Sequence, residues 1–343
     1  MDLEALQSPV RKDLDAVSSF LAEMVASEFP MFEDISRHAL RQHGKFLRPT
    51  IFLLSARVFS DISREHIRLA GALELLHGAS LAHDDVIDSA GLRRRSATIR
   101  SRWGDTIAVL YGDFLLSRAF SILTCTPIAA ARELAPPLVT QVVEGEARQC
   151  QTRYNLGLTC EDYIAIIRKK TAALFAAAAQ IGGAAGGADE AACSTLLDYG
   201  FRFGIGYQIL DDILDLIGSK ETTGKTVGTD LASGRFTLPI LLLRDALPTA
   251  DVRDAILTAS ESDNGKDVEK VIDLARKSGA FESAAGVVEE HFAAARAAVE
   301  SLPPNSCRDH LVGLSDHYIA RSRSIIQQCP AGAATPVAGV GDG

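Results

Sequence analysis

The chain has 343 residues, with 35 basic and 44 acidic side chains and a net charge of −9. That balance argues against general binding to nucleic acid, whose phosphates it would repel, but leaves room for an anionic small molecule if metal ions stand between acid and acid. Aromatic residues make up only 6% of the chain and clusters of Val, Ile and Thr are sparse, which favours helices over strands.

In chain order, the opening MDLEALQSPVRKDLD is too charged for a signal peptide. Helical periodicity then predicts helices near 9–28, 32–43, 47–59, 64–88, 105–125, 130–153, 161–181, 190–217, 235–245 and 250–259, with more from 266 to about 325. No segment alternates convincingly as a strand would. The most weakly polar run, LFAAAAQIGGAAGGA, is glycine-rich and short for a membrane span. No stretch of linker composition interrupts the pattern, so residues 1–328 are expected to form a single all-α domain, a bundle of long helices. Residues 329–343, CPAGAATPVAGVGDG, have the bias of a disordered tail. The 6 cysteines are scattered without a CxxC pair and read as reduced thiols of a soluble, cytoplasmic protein.

Against this background LAHDDVID is anomalous. Asp84, Asp85 and Asp88 crowd like charges among Leu73, Leu75, Leu76, Leu81, Val86 and Ile87, and removing each carboxylate from water is costly unless something compensates. YQILDDILD repeats the spacing with Asp211, Asp212 and Asp215. On helices, Asp84 and Asp88 share a face, as do Asp211 and Asp215; Asp85 and Asp212 point about 100° away. A solvated helix face would not be flanked so heavily by apolar residues. Hard divalent ions, Mg²⁺ above all, are held by one or two carboxylates together with phosphate oxygens. Two such helices facing each other could grip a Mg²⁺–diphosphate cluster from both sides.

Cations accompany both clusters. GKFLRP supplies Lys45 and Arg48, and His77 lies seven residues before Asp84; Arg93 and Arg94 follow the first cluster in a basic loop, GLRRRSATIRSRWG. RKKT gives Lys170 and Thr171, and the polar, glycine-rich stretch 218–236, long enough for a flap, gives Lys225. Each alone reads as a surface cation. Beside the aspartates they suit phosphate recognition, Arg by bidentate bonds and Lys as a point charge.

These landmarks, namely GKFLRP, HDDVID followed by LRR, YGDFLLSRAF, EGEARQ, KKT, YQILDDILD, GKTVGTDL and GRFTLP, with DHYIARSR near the C-terminus, resemble those of the trans-isoprenyl diphosphate synthases, in that family's order over nearly the whole chain. The resemblance implies the isoprenoid synthase bundle with a central cavity between long helices. It also implies Mg²⁺-dependent head-to-tail condensation of isopentenyl diphosphate with an allylic diphosphate. By the same resemblance the six aspartates hold three Mg²⁺ ions. Arg93, Lys170 and Lys225 contact the allylic diphosphate, and Lys45, Arg48, His77 and Arg94 form the isopentenyl diphosphate pocket. Gln208 and Thr171 lie near the reacting carbons. A homodimer is implied as well, and the hydrophobic product suggests transient membrane contact on release. Two departures are RRRSAT, where the family has RRG and a Pro-Thr pair, and Arg235 for the usual lysine before TLP.

If the growing chain runs beside the first aspartate helix, it meets Ser80 and Ala79, then Leu76 and Leu73. In the resembling family, bulky aromatics at the first two positions accompany short products; here both are small, which points to a polyprenyl chain of thirty carbons or more. The floor could equally lie at Leu76, at Leu73 or on the 130–153 helix. Three other readings compete: a geranylgeranyl or farnesyl diphosphate synthase, a terpene cyclase, and a non-catalytic subunit of a heteromeric synthase. A cyclase has no use for an isopentenyl diphosphate pocket, and a non-catalytic subunit would be expected to lose aspartates.

Overall fold

Alanine and leucine at helical spacing give helices along almost the whole chain in the computed structural model, which describes residues 2–40, 44–93, 96–217, 228–261 and 265–328. Three expectations fall outside these residues: Arg94, Lys225 with most of the proposed flap, and the 329–343 tail. The N-terminal segment is α1 (Leu3–Gln7), capped by Asp2, then a 3₁₀ turn (Ser8–Val10) and α2 (Arg11–Met24). The expected 9–28 helix is therefore split and shifted; Pro9, which lacks an N–H, sits where a new helical turn begins. Next come α3 (Pro30–Leu40), α4 (Leu47–Arg57), α5 (Arg64–Ile87), α6 (Ile99–Trp103), α7 (Asp105–Leu123) and α8 (Ala129–Gln151). α9 (Cys160–Ile167) passes through a π-helical turn (Arg168–Ala172) into α10 (Ala173–Ala185), followed by α11 (Glu190–Ile217). The C-terminal part holds α12 (Thr229–Ala232), α13 (Leu238–Ala246), α14 (Ala250–Glu261), α15 (Gly265–Lys277), α16 (Ala280–Val299) and α17 (Ser306–Gln327).

One feature has no counterpart in the expected pattern. Leu92–Arg93 pairs antiparallel with Ser96–Ala97 in the basic loop. Strands of two residues are too short for alternation to register.

The all-α bundle is organised around α10. Nearly every residue of ALFAAAAQIGGAA is buried, so the helix presents no polar face and must be enclosed. It packs against α4, α5, α8 and α11, while α5 also packs on α7 and α11 on α16. Small residues permit these approaches. A Cβ at Gly200 of α11 would lie 2.4 Å from the Ala176 Cα of α10. At its N-terminus α5 is fixed by a capping box: Ser63 N donates to His66 Nδ1 at 2.9 Å, and His66 Nε2 donates to the Ala185 carbonyl at 2.9 Å. The start of α5 is thereby tied to the end of α10, and the far ends of α5 and α11 open on one cavity.

Gly200→Ala should force α10 and α11 apart at a backbone contact that no side-chain rotation can relieve. The expected cost is about 2 kcal/mol of folding stability, read as a lower urea midpoint. An unchanged midpoint would show that the interface is more yielding than its geometry implies.

Candidate active site

Both aspartate clusters sit at the C-terminal ends of their helices, Asp84 and Asp85 in the last turn of α5 with Asp88 as its C-cap, and Asp211, Asp212 and Asp215 in the last turns of α11. A helix C-terminus carries partial negative charge, so the backbone adds to the carboxylate field. The two ends face a shared cavity of about 1880 Å³, lined among others by Asp84, Asp88, Arg93, Glu146, Lys170, Thr171, Gln208, Asp211, Asp212, Asp215 and Arg235.

In the first cluster the three carboxylates have different neighbours. Asp85 is buried and accepts from Arg93 Nε at 2.9 Å. Asp88 accepts from Arg153 Nη2 at 2.7 Å and from Arg235 Nη1, whose Nη2 also pairs with Asp230 at 2.8 Å. Among the described residues, the one ion pair that Asp84 makes is with Lys170 Nζ at 4.0 Å. Burial is the largest influence on it. With Glu146 and Asp88 adding and Lys170 and Arg93 opposing, its pKa is raised from 3.8 to about 6.

Lys170 owes its position to the π turn, a local irregularity that lets adjacent Lys170 and Thr171 both reach the cavity. Gly145 of α8 matters equally, since a Cβ there would lie 2.5 Å from the Lys170 backbone N. That close approach brings Glu146 into an ion pair with Lys170 and allows Gln149 Oε1 to accept from Lys170 Nζ at 2.7 Å. Burial alone would lower the Lys170 pKa, but Asp84 and Glu146 outweigh it and keep the ammonium charged.

The second cluster is held by neutral donors. Tyr163 Oη donates to Asp212 Oδ2 at 2.5 Å, and Gln208 Nε2 donates to Asp212 Oδ1 at 2.7 Å. Thr171 Oγ1 in turn donates to Gln208 Oε1 at 2.9 Å, which fixes the carboxamide's orientation. Burial, with Asp230 nearby, pushes the Asp212 carboxyl well above its ordinary range, against the two bonds it accepts. Asp215 accepts from Thr229 Oγ1 at 2.7 Å and from Asp230 N at 3.1 Å. Among the described residues no hydrogen bond or ion pair holds the Asp211 side chain.

The same cavity is also lined by Lys45, Arg48 and His77, together with Arg321 of α17. Aromatic rings support two of these cations: the Arg48 guanidinium lies 4.4 Å from the Phe175 centroid, and Lys45 Nζ lies 5.9 Å from that of Tyr318. A smaller cavity of about 90 Å³ shares Arg48, His77, Ser80 and Lys170 with the large one and runs between Leu76 and Ala79 of α5, Leu116 of α7, Leu138 and Val139 of α8, and Leu174 of α10. Leu73 is buried in the core and lines neither cavity.

Sequence reasoning did not single out Glu146, Gln149, Arg153, Tyr163, Asp230 or Arg321, which the fold brings to the site. Glu146 and Gln149 lay within the quoted EGEARQ and Asp230 within GKTVGTDL, so spacing could have flagged them. Arg153 and Tyr163 carry no local signal. The donor set fits a hard divalent ion, since five of the six aspartates bring carboxylate oxygens to the cavity and the half-buried Asp84 has only the distant Lys170 as an ion-pair partner among the described residues. Among the described residues no three acidic, histidine or cysteine side chains converge tightly enough to hold an ion alone.

The family model described as "Polyprenyl synthetase" matches residues 29–275. Octaprenyl diphosphate synthase of Escherichia coli is 33% identical over 324 residues, covering 94% of this chain and 100% of that protein. Heptaprenyl diphosphate synthase component 2 of Bacillus subtilis is also 33% identical over 324 residues, covering 94% and 92%. Among solved structures, the polyprenyl synthase of Caulobacter crescentus, complexed with calcium and isoprenyl diphosphate, superposes with a TM-score of 0.88 at 32% identity, covering 94% of this chain and 98% of that one. That structure extends the likeness from the sequence to the helical bundle as a whole. With its paired aspartate helices, its isoprenoid synthase fold and a match spanning most of its length, the chain belongs to the polyprenyl synthetase family.

Proposed function

We propose that this prenyltransferase condenses isopentenyl diphosphate head-to-tail with an allylic diphosphate to give a trans-polyprenyl diphosphate of thirty carbons or more. The single observation that carries the reading is the one cavity lined both by the two aspartate clusters and by the cations Lys45, Arg48, Arg93 and Lys170. Two anionic substrates need two cationic seats, and the walls supply them. Mg²⁺, which we take to be three ions per site, supplies neutralisation of the allylic diphosphate's charge as it departs.

The chain's own groups do the rest. Among the described residues, Asp84 and Asp211 present carboxylates to the cavity with the fewest protein partners, and Lys170 and Arg93 stand beside the first cluster as fixed cations for the leaving diphosphate. Thr171 and Gln208, fixed in the cavity wall by their bond to each other and by that of Gln208 to Asp212, supply oxygen atoms there that would favour the developing allylic positive charge. The double bond of isopentenyl diphosphate, seated against Lys45, Arg48 and His77, attacks that carbon, and the proton lost passes to the departing diphosphate. Arg94 and Lys225 are assigned to the diphosphates by family resemblance.

Support for a long product comes from the smaller cavity. Ala79 and Ser80 open the wall of α5, and Leu116, Leu138, Val139 and Leu174 close the space beyond. We place the floor on α8 and its neighbours, below Leu76, with Leu73 lining a route only if these side chains move.

We further propose a homodimer. Leu110 on α7 is 48% exposed, and Val109 on α7 and Val143 on α8, 40% and 62% exposed, lie at the rim of the cavity, so a second copy covering this apolar surface would also close the cavity's edge. The Bacillus relative's name, component 2, motivates the second reading, pairing with a different chain. α7 is also long and apolar enough to cross a membrane by length and composition, but 39% of its window is buried against the bundle. We read the protein as cytoplasmic, touching membrane only to release product.

Two outcomes are expected. With Mg²⁺, farnesyl diphosphate and labelled isopentenyl diphosphate, the purified chain alone should yield products of thirty carbons or more, and Ala79→Phe should cap them at about twenty carbons by filling the entrance to the smaller cavity. Chromatography of the dephosphorylated products decides this. A wild-type stop at twenty carbons would refute the long-chain assignment, and elongation only with an added partner chain would favour the heteromeric reading.

The second outcome concerns pH. Because Asp84 in the folded, metal-free protein titrates near 6 rather than 3.8, the folded state binds the proton more tightly than the unfolded one. Stability is therefore lost as pH rises through that window. Asp84→Asn removes the charge, so its stability relative to wild type should increase between about pH 4 and pH 7, by on the order of 2 kcal/mol. Parallel pH curves in the presence of chelator would show that the carboxylate is not strained.

A further inference from the structure

We propose that Gln7, on the N-terminal helix α1 and outside the segment matched by the family, is a positioning residue that fixes the Lys45–Arg48 turn for the diphosphate of isopentenyl diphosphate. The inference rests on the function proposed above. The turn needs restraint: Phe46 is left-handed, at φ 48° and ψ 36°, a conformation that a residue with a Cβ adopts reluctantly, and it immediately precedes α4 without a side-chain cap.

Gln7 supplies the restraint. A carboxamide NH₂ has two donors, and both are used: Gln7 Nε2 lies 2.8 Å from the Lys45 carbonyl and 2.9 Å from Thr50 Oγ1. Thr50 passes its own proton to the Phe46 carbonyl at 2.7 Å. Two consecutive carbonyls of the turn are thus held by one side chain, one directly and one through Thr50. Gln7 is 6% exposed, and its neighbours Leu6 and Val10 are fully buried. An amide costs free energy in such a place unless it is bonded, so an apolar residue would serve packing better.

The segment carrying Gln7 is itself rigidly mounted. Leu6 packs against α17 at Gly313, where an added Cβ would lie 2.6 Å from Leu6 Cδ2. Arg57, in the last turn of α4, donates to the Pro9 carbonyl at 2.7 Å and to Asp13 at 3.1 Å. The clamp therefore acts on Lys45 and Arg48 from behind, without touching substrate and without contact to either aspartate cluster.

Calorimetric titrations separate positioning from general stability. Wild type, Gln7→Leu, Thr50→Val and Thr50→Ser are each titrated with isopentenyl diphosphate, and separately with Mg²⁺ plus the unreactive analogue farnesyl thiolodiphosphate. Gln7→Leu should weaken isopentenyl diphosphate binding about tenfold while the analogue's affinity stays within about twofold. Thr50→Val should follow in the same direction, and Thr50→Ser, which restores the hydroxyl, should bind as wild type. Should Gln7→Leu fail to fold, the Thr50 pair carries the same comparison. Unchanged isopentenyl diphosphate binding, or equal losses for both ligands, would overturn the inference alone. A wild-type protein that binds no isopentenyl diphosphate would overturn both it and the proposed function.

Discussion

Everything at this site depends on one electrostatic constraint, the convergence of two acidic helix ends on one cavity. α5 and α11 both terminate there, so five of the six aspartates and two negative helix termini line one space partly shielded from water, with Asp85 buried and paired to Arg93. Burial raises the proton affinity of such a carboxylate and nearby like charges add to it: Asp84, shielded from water and beside Glu146 and Asp88, has its pKa raised to about 6. The rest of the fold can be understood as the means of holding this unfavourable arrangement together.

Protein-borne partners absorb most of the charge. Arg93 holds Asp85, Arg153 and Arg235 share Asp88, and Tyr163 with Gln208 holds Asp212. Least compensated among the described residues are Asp84 on one helix and Asp211 on the other. This division assigns different work to residues of one motif. Some carboxylates lock helices to loops, and two face the cavity with few partners among the described residues. Closeness of packing makes the locking possible, because Gly145 admits the Lys170 backbone and the alanine-rich α10 lets α11 lie against it.

Much of this was legible in the sequence, for reasons specific to each element. The helix 190–217 could be read to the residue because its apolar rows run unbroken from Glu190 to Ile217. The repeated aspartate spacing pointed to the cavity because acids flanked by leucine and isoleucine have no bland explanation. The split between α1 and α2 escaped because a proline early in a helix suits either a start or a continuation. The π turn at Lys170 escaped because its cause is tertiary, the approach of α8 at Gly145. Arg153 and Tyr163 could not be found by motif: each acts through a partner 65 or 49 residues away in sequence, Asp88 and Asp212 respectively. Gln7 has the same character, a single amide whose meaning lies in a turn 38 residues further on.

The central claim is that the opposed carboxylates are reconciled only when metal and diphosphate arrive together. The most direct test is the melting temperature of the purified protein with Mg²⁺ alone, with farnesyl thiolodiphosphate alone in chelator, and with both. Each alone should shift the midpoint by no more than about 2 °C, and the pair by several times that. A full shift produced by the diphosphate without metal would contradict the account, because the cations of the chain would then suffice to bind it.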